Sequence, residues 1–376
     1  MTRVAMTALV AALVVLAAPG LAEARSSDAL ERALDGIVAA RGGPPGLSVL
    51  IQRGGRRQFL SRGFSDVRAR RRPAANDHMR IASMSKAFNG AVALGLVSDG
   101  RLGLGDTIGE RLPGVLPLAG PVTLAQVLQH TGGLPEYIRS SVFLDRLRSD
   151  PAGLTSPQER VGFVRDTPLD FPPGSSYEYS DTDNVVAGLM AEGVTGRTYE
   201  GLLARMVYRP LGLRETTLPR TVKMPRPYLH GYEVAPGKPP EDVSELLSPT
   251  IAWASGGIVS TPAEVGRFFR AYVAGQLFSA ATQRRQRRFV GGSSSPPGPG
   301  RNASGLGLFR YRTRCGTVYG HTGSFLGYRM FAASSADGRR SVVFSVNAQI
   351  VPGQGSREVS RAIRRAQGLA VCRALG

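Results

Sequence analysis

Phe325-Leu326-Gly327-Tyr328-Arg329-Met330-Phe331-Ala332-Ala333, then Asp337-Gly338, then Ser341-Val342-Val343-Phe344-Ser345-Val346, reads as two strands on either side of a tight turn. Aromatic and β-branched runs around Asp-Gly carry that signature. It recurs near the other end of the chain. There Leu47 to Ile51 reads as a buried strand, Gly54-Gly55 suits a turn, and Gln58 to Phe64 reads as the partner. Between these ends, from about Leu104 to Val273, the pieces are mostly helical, with Pro-rich connections and no regular strand alternation. The order predicts an α/β (α+β) chain. One antiparallel sheet is built from the N- and C-terminal segments and flanked by helices, and a mostly helical region of about 105–273 is inserted. Strands and helices do not alternate, which excludes Rossmann and barrel folds, and no internal repeat is sustained.

Three helices frame this sheet. Ser27 and Asp28 are placed to cap one that carries Leu30, Leu34, Ile37 and Val38, and Gly42-Gly43-Pro44-Pro45 ends it. A second runs from Ser83 to Asp99 and stops at Gly100, and a basic one covers Arg357 to Leu369. The tract Gly291 to Gly300 is nearly all Gly, Ser and Pro and reads as a surface loop.

The 376 residues carry 47 Lys+Arg against 28 Asp+Glu, a net charge of +19, with 42% hydrophobic residues. That balance excludes a disordered chain and a membrane bundle, and the 47 glycines follow no collagen-like period. Positive charge invites a polyanion partner. The N-terminus redirects that idea. Arg3, the apolar stretch Val4 to Ala18, Pro19-Gly20 and Ala22-Glu23-Ala24 read as a signal peptide (1–24) cleaved after Ala24, with an uncleaved anchor as the alternative. Residues 25–376 are then a secreted, soluble domain, and nucleic acid and stable membrane insertion are not expected. Cys315 and Cys372 form an even pair and are expected to make a disulfide that ties the last helix to the segment before His321, with two buried free thiols as the alternative. His78, His130, His230 and His321 lie at no metal-ligand spacing, so no metal is expected.

Three short boxes carry chemistry. Ser83-Met84-Ser85-Lys86 puts a hydroxyl and an amine one helical turn apart. Serine attacks only when a neighbour takes its proton, and a partly desolvated lysine can do so. This chain holds three lysines, Lys86, Lys223 and Lys238, and only Lys86 has a serine three residues before it. Arginine fills nearly every other basic position, yet guanidinium cannot shed a proton. Tyr179-Ser180-Asp181 offers a phenol for proton transfer; its alternative reading is a loop in which Ser180 or Asp181 caps the helix Val185 to Met190. His321-Thr322-Gly323-Ser324 reads as small residues on an edge strand, where the Ser324 N–H and the Ser83 N–H can hold a tetrahedral oxyanion. The same tripeptide at His130-Thr131-Gly132 follows a helical segment and reads as a helix end and loop.

The order and context of these boxes resemble the serine penicillin-recognising family of D,D-peptidases, class C β-lactamases and related esterases. Gly100 to Asp106, Leu128 to Pro135, Tyr179 to Gly188, Gly305 to Leu308 and above all Cys315 to Gly327 carry the resemblance, which is nearest to the secreted Streptomyces-type D-alanyl-D-alanine carboxypeptidase. It implies a β-lactamase/transpeptidase-like fold, Ser83 as acylated nucleophile, Lys86 as its proton partner and Tyr179 in proton transfer to the leaving amine. It also implies that His321, Thr322, Gly323 and Ser324 line the substrate, with Asp181 beside them. Either Lys86 or Tyr179 is the acylation base. Trp253 borders the cleft in that resemblance; its alternative is a core position.

Two positions depart from the family pattern. Asp181 stands where the second box usually ends in Asn, and an ionised carboxylate cannot donate to a substrate carbonyl. Phe309 stands where the carboxypeptidase has an arginine for the terminal carboxylate; Arg310 replaces it only if the strand register shifts. The resemblance implies a cofactor-free hydrolase that cleaves the terminal D-Ala-D-Ala bond of peptidoglycan stem peptides, by hydrolysis or transpeptidation, and is acylated by β-lactams. The alternatives are an esterase or β-lactam hydrolase on the same scaffold, or a non-catalytic wall-binding protein.

Overall fold

The computed structural model describes residues 19–235, 237–291, 295–350 and 357–376. The first helix, α1, is Pro19–Ala39. Pro19-Gly20 is helical, where a break was expected. Ser27 and Asp28 lie inside α1 and do not cap it. Residues 1–18 of the expected signal peptide lie outside the described residues.

Strands β1 (Gly46–Arg53) and β2 (Arg56–Gly63) turn at Gly54-Gly55, where Gly54 takes φ +54°. The helices that shape the site are α2 (Ser85–Ser98), α3 (Leu124–Gln129), α4 (Pro157–Gly162), α5 (Asp181–Thr195) and α6 (Pro262–Val273). The sheet resumes with β3 (Arg301–Gly305), β4 (Leu308–Thr313), β5 (Gly316–Phe325), β6 (Tyr328–Ser334) and β7 (Arg340–Val346), and α7 (Arg357–Leu375) comes last. All neighbours in the seven-stranded order β2-β1-β7-β6-β5-β4-β3 are antiparallel, and the first and last strands are neighbours inside it.

The single strand expected over Phe325–Ala333 is two. Leu326-Gly327 makes a hairpin, with Gly327 at φ +78°, and His321–Ser324 lies within β5, not before a strand. β3 and β4 had no clear signal, because the Gly/Ser/Pro tract and the Leu306-Gly307 turn leave little alternation to read.

Alternation along each strand divides the core. Val49, Ile51, Phe344 and Val346 join Leu34 and Ile37 of α1 and Ile363 of α7. On the opposite face Leu50, Val343 and Met330 join Phe88 of α2 and Phe268 of α6. Cys315 and Cys372 are disulfide-bonded, with Cα atoms 5.1 Å apart, which ties the turn before β5 to α7. No helix among the described residues is long and apolar enough to cross a membrane.

Candidate active site

Ser83 lies in a single 3-10 turn, Ala82–Met84, that leads into α2. Ala82 is left-handed at φ +51°, an uncommon conformation for a residue with a Cβ, and the Ile81 N–H is anchored on the Ile258 carbonyl at 3.0 Å. The strained corner leaves Ser83 half-buried at the mouth of the site. One turn on, Lys86 is 1% exposed. Its Nζ donates to Ser83 Oγ at 3.3 Å and to the Ser255 carbonyl at 2.8 Å, and it is ion-paired with Asp181 Oδ1. The same Nζ lies 4.9 Å from the centre of the Tyr179 ring. Ser83, Lys86, Tyr179 and Asp181 are therefore brought together.

The capping reading of the second box is met by Ser180. Ser180 caps α5, its hydroxyl accepting the Thr182 N–H at 3.1 Å, and this turn aims the neighbouring Tyr179 and Asp181 at Lys86. Tyr179 Oη is buried without a hydrogen-bond partner of good geometry. Burial first, and then the Asp181 charge, hold its acidity well below that of an ordinary phenol, with the nearby Ser83 hydroxyl opposing them. Tyr179 is thus a neutral phenol at neutral pH. The Asp181 carboxylate, at the position where an amide was expected to face substrate, turns to Lys86.

The structure adds groups that the sequence left unassigned. Glu136 is 8% exposed and accepts the Asp181 N–H at 2.5 Å. Burial, and then repulsion from Asp181, push its carboxyl up to about 7. His130, the left-handed C-cap of α3, is not only the end of a helix. Its Nδ1 is 2.8 Å from Asp183 Oδ2, and its ring is 4.6 Å from Tyr179. Burial lowers the His130 imidazole well below its usual range and raises the Asp183 carboxyl well above its own, so both are held towards the neutral form. A lone loop glutamate leaves no pattern in the sequence. The repeated His-Thr-Gly was the one available hint to His130.

β5 supplies the third wall. It is not an edge strand of the sheet, because β4 pairs with it as far as Gly320. Pairing on that side stops there, leaving His321–Phe325 with one open edge, so the expected free backbone exists locally. A Cβ on Gly323 would lie 2.5 Å from the Ile81 carbonyl and 3.3 Å from the Ser83 nitrogen; only glycine lets the strand pass so near Ser83. Thr322 is buried, Ser324 is exposed, and the Ser324 hydroxyl accepts from Gln349 at 3.3 Å. Burial and the Lys86 charge lower the His321 imidazole, against a bond to the Thr322 carbonyl, to about 3.

The structure settles two alternatives. Phe309 pairs with Gly320 and Arg310 with Tyr319 in regular register. Phe309 is buried 5.0 Å from the His321 ring, while the Arg310 guanidinium lies 4.7 Å over Phe289, so Arg310 does not take over the missing arginine's place. Trp253 takes a core position. It is 5% exposed and packs on Tyr199 at 4.8 Å and against Gly188.

The beta-lactamase family description matches residues 28–366. The chain belongs to the beta-lactamase family. The resemblance to serine penicillin-recognising proteins is thereby upheld. A D-stereospecific amidohydrolase from Streptomyces sp. superposes with a TM-score of 0.78 at 30% identity, over 90% of this chain and 98% of that one. D-amino acid amidase from Ochrobactrum anthropi SV3 superposes at 0.79 and 24% identity, over 92% and 98%, a likeness of fold. A D-aminopeptidase of Cereibacter sphaeroides is 28% identical over 331 residues, 85% of this chain and 60% of the relative. Protein flp of Staphylococcus aureus is 28% identical over 209 residues, 53% and 40% respectively. The chain spans less than two thirds of the length of these curated relatives.

Proposed function

We propose that this beta-lactamase-family chain hydrolyses amide bonds on the carboxyl side of a D-configured residue through an acyl-enzyme on Ser83. The observation that carries the chemistry is the Lys86 ammonium site, shared by Ser83 Oγ, Asp181 and the Ser255 carbonyl beside a neutral Tyr179. A phenol that keeps its proton is not the resting base, which leaves Lys86. As its free amine, Lys86 accepts the Ser83 proton while Oγ bonds to the substrate carbonyl carbon. The oxyanion forms against the Ser83 and Ser324 N–H groups. The Tyr179 hydroxyl then donates its proton to the departing nitrogen as the C–N bond breaks, and Lys86 returns a proton to Tyr179. Water reverses the sequence and releases the acid. Thr322, Gly323 and Ser324 line the substrate, with His321 held neutral behind them. No cofactor enters this scheme.

Two features support the choice of substrate. The names of the amidohydrolase and aminopeptidase relatives point to D-stereospecific amides. Asp181 and Glu136 place two carboxyl groups around one ammonium, while Phe309 stands where a cation would meet a terminal carboxylate. That charge balance favours a substrate with a free amine over one that ends in a carboxylate. Release of D-alanine from peptidoglycan stem peptides, by hydrolysis or transpeptidation, is the narrower reading. It keeps the Thr322 and Ser324 hydroxyls but lacks a guanidinium. Export, with cleavage after Ala24, is supported by the disulfide.

The test compares turnover of D- and L-phenylalanine amide, acyl-D-Ala-D-Ala and a simple ester, and looks for a labelled-penicillin adduct on the wild type and on Ser83→Ala. D-amide turnover and an adduct lost in Ser83→Ala are expected. No adduct on the wild type overturns the serine mechanism, ester turnover alone makes the protein an esterase, and D-alanine release without amide turnover restores the carboxypeptidase.

A further inference from the structure

Behind the reaction centre lies a guanidinium that the mechanism does not use. Arg160 on α4 is 0% exposed, forms no ion pair among the described residues and has an Nη1 without a hydrogen-bond partner. Burying an uncompensated charge is costly, and a residue that merely filled space would avoid it. Its Nε donates to the Ile251 carbonyl at 3.1 Å and its Nη2 to the Thr155 carbonyl at 2.7 Å, and the guanidinium stands 5.9 Å from the Trp253 ring. The Tyr137 hydroxyl donates to the same Ile251 carbonyl at 2.6 Å. Two donors from separate segments thus converge on one acceptor.

The chain leaving that carbonyl is the segment that reaches Lys86. Trp253 is left-handed at φ +40°, a conformation that a bulky residue keeps only when its surroundings impose it. The turn around it is closed by Ser255 N–H to the Ala252 carbonyl and Gly257 N–H to the Trp253 carbonyl, each at 2.8 Å. It presents the Ser255 carbonyl to Lys86 Nζ.

We propose that Arg160 is a positioning residue. Together with Tyr137 it clamps the Ile251 carbonyl, holds the strained Trp253 turn and so keeps the Ser255 carbonyl on Lys86. This inference rests on the reading of Ser83 and Lys86 as the acylation pair. Burial lowers the guanidinium only to about 10, so it remains charged at neutral pH and its bonds to the two carbonyls are charge-assisted. Arg160 reaches Lys86 only through the Ile251–Ser255 segment, and none of its own partners is a substrate-lining residue, so the acylation step is affected and substrate binding is not. A cleft of about 390 Å³ lined by Thr155, Thr250, Glu200 and Trp253 opens beside the clamp and gives a small cation a way in.

The experiment measures acylation of Ser83 by fluorescent penicillin in Arg160→Ala and Tyr137→Phe, with and without added guanidinium, alongside KM and thermal midpoint. Loss of one charge-assisted contact to Lys86 predicts a drop of about tenfold to hundredfold in the acylation rate of Arg160→Ala. KM should stay within about twofold, and guanidinium, but not methylammonium, should restore the rate without moving the midpoint. Tyr137→Phe, which keeps its ring in the core, should show a smaller loss in the same direction. Unchanged rates in both variants overturn the proposal; so does a loss that tracks only the unfolded fraction and ignores guanidinium. If the wild type itself does not acylate, the proposed function has failed instead. The Lys86 Nζ–Ser255 O distance in a crystal structure of Arg160→Ala then decides the clamp: separation upholds it, and retention overturns it.

Discussion

Replacing Glu136 with Gln is the sharpest test of the electrostatics around Lys86. The substitution keeps the shape and an oxygen for the Asp181 N–H while removing an ionisable group from a site where it is 8% exposed. The carboxyl is raised from 4.5 to about 7, by burial first and by Asp181 second. The folded chain therefore holds this proton more tightly than the unfolded one. Its stabilising contribution is complete below 4.5 and disappears as pH rises through about 7. Ionising Glu136 in place costs about 3 kcal/mol relative to the unfolded chain, at 1.36 kcal/mol for each tenfold change in proton affinity. Urea unfolding of wild type and Glu136→Gln at a series of pH values measures it. The variant should gain about 3 kcal/mol on the wild type between acid pH and pH 8, with the midpoint of the gain in that window. A difference that is flat with pH, or one that favours the wild type as pH rises, would mean that Lys86 stabilises the Glu136 carboxylate more than burial and Asp181 oppose it. The electrostatic reasoning would then be wrong.

In Asp181→Asn the charge that raises both Glu136 and Tyr179 is gone, so the Glu136 titration should move down from about 7 towards 4.5, as read by carboxyl NMR. Gly323→Ala would place a Cβ 2.5 Å from the Ile81 carbonyl and push β5 off the Ser83 turn; penicillin acylation should fall at least about tenfold, while wild-type rates would show that the strand can yield. The Cys315–Cys372 bond closes a span of 57 residues, and Cys372→Ser should cost about 4 kcal/mol in denaturant unfolding; equal stability with and without reductant in the wild type would refute this.

Much of this molecule was legible along the chain because its signals are local. Ser83 and Lys86 are one helical turn apart, and α2 carries both, so their meeting follows from the helix alone. The apolar alternation of Leu47–Ile51 and Ser341–Val346 marks two strands that pair inside the sheet. Two local signals misled. Pro19-Gly20 resembles a break yet is helical, and Gly327 hid a hairpin within an apparently continuous strand.

The sequence by itself therefore determined that the two ends of the chain share one antiparallel sheet, that Ser83 and Lys86 lie one helical turn apart, and that the two cysteines form a pair, each from residues adjacent in the chain or unique in it. The tertiary structure alone decided what surrounds them. Asp181 turns to Lys86, Glu136 comes 45 positions away to hold the Asp181 N–H, Trp253 goes into the core, and Arg310 faces away from the site. These outcomes depend on burial and on charges brought together across long loops. A carboxyl's proton affinity is set by the dielectric and the neighbours around it, and neither is written in the residues next to it.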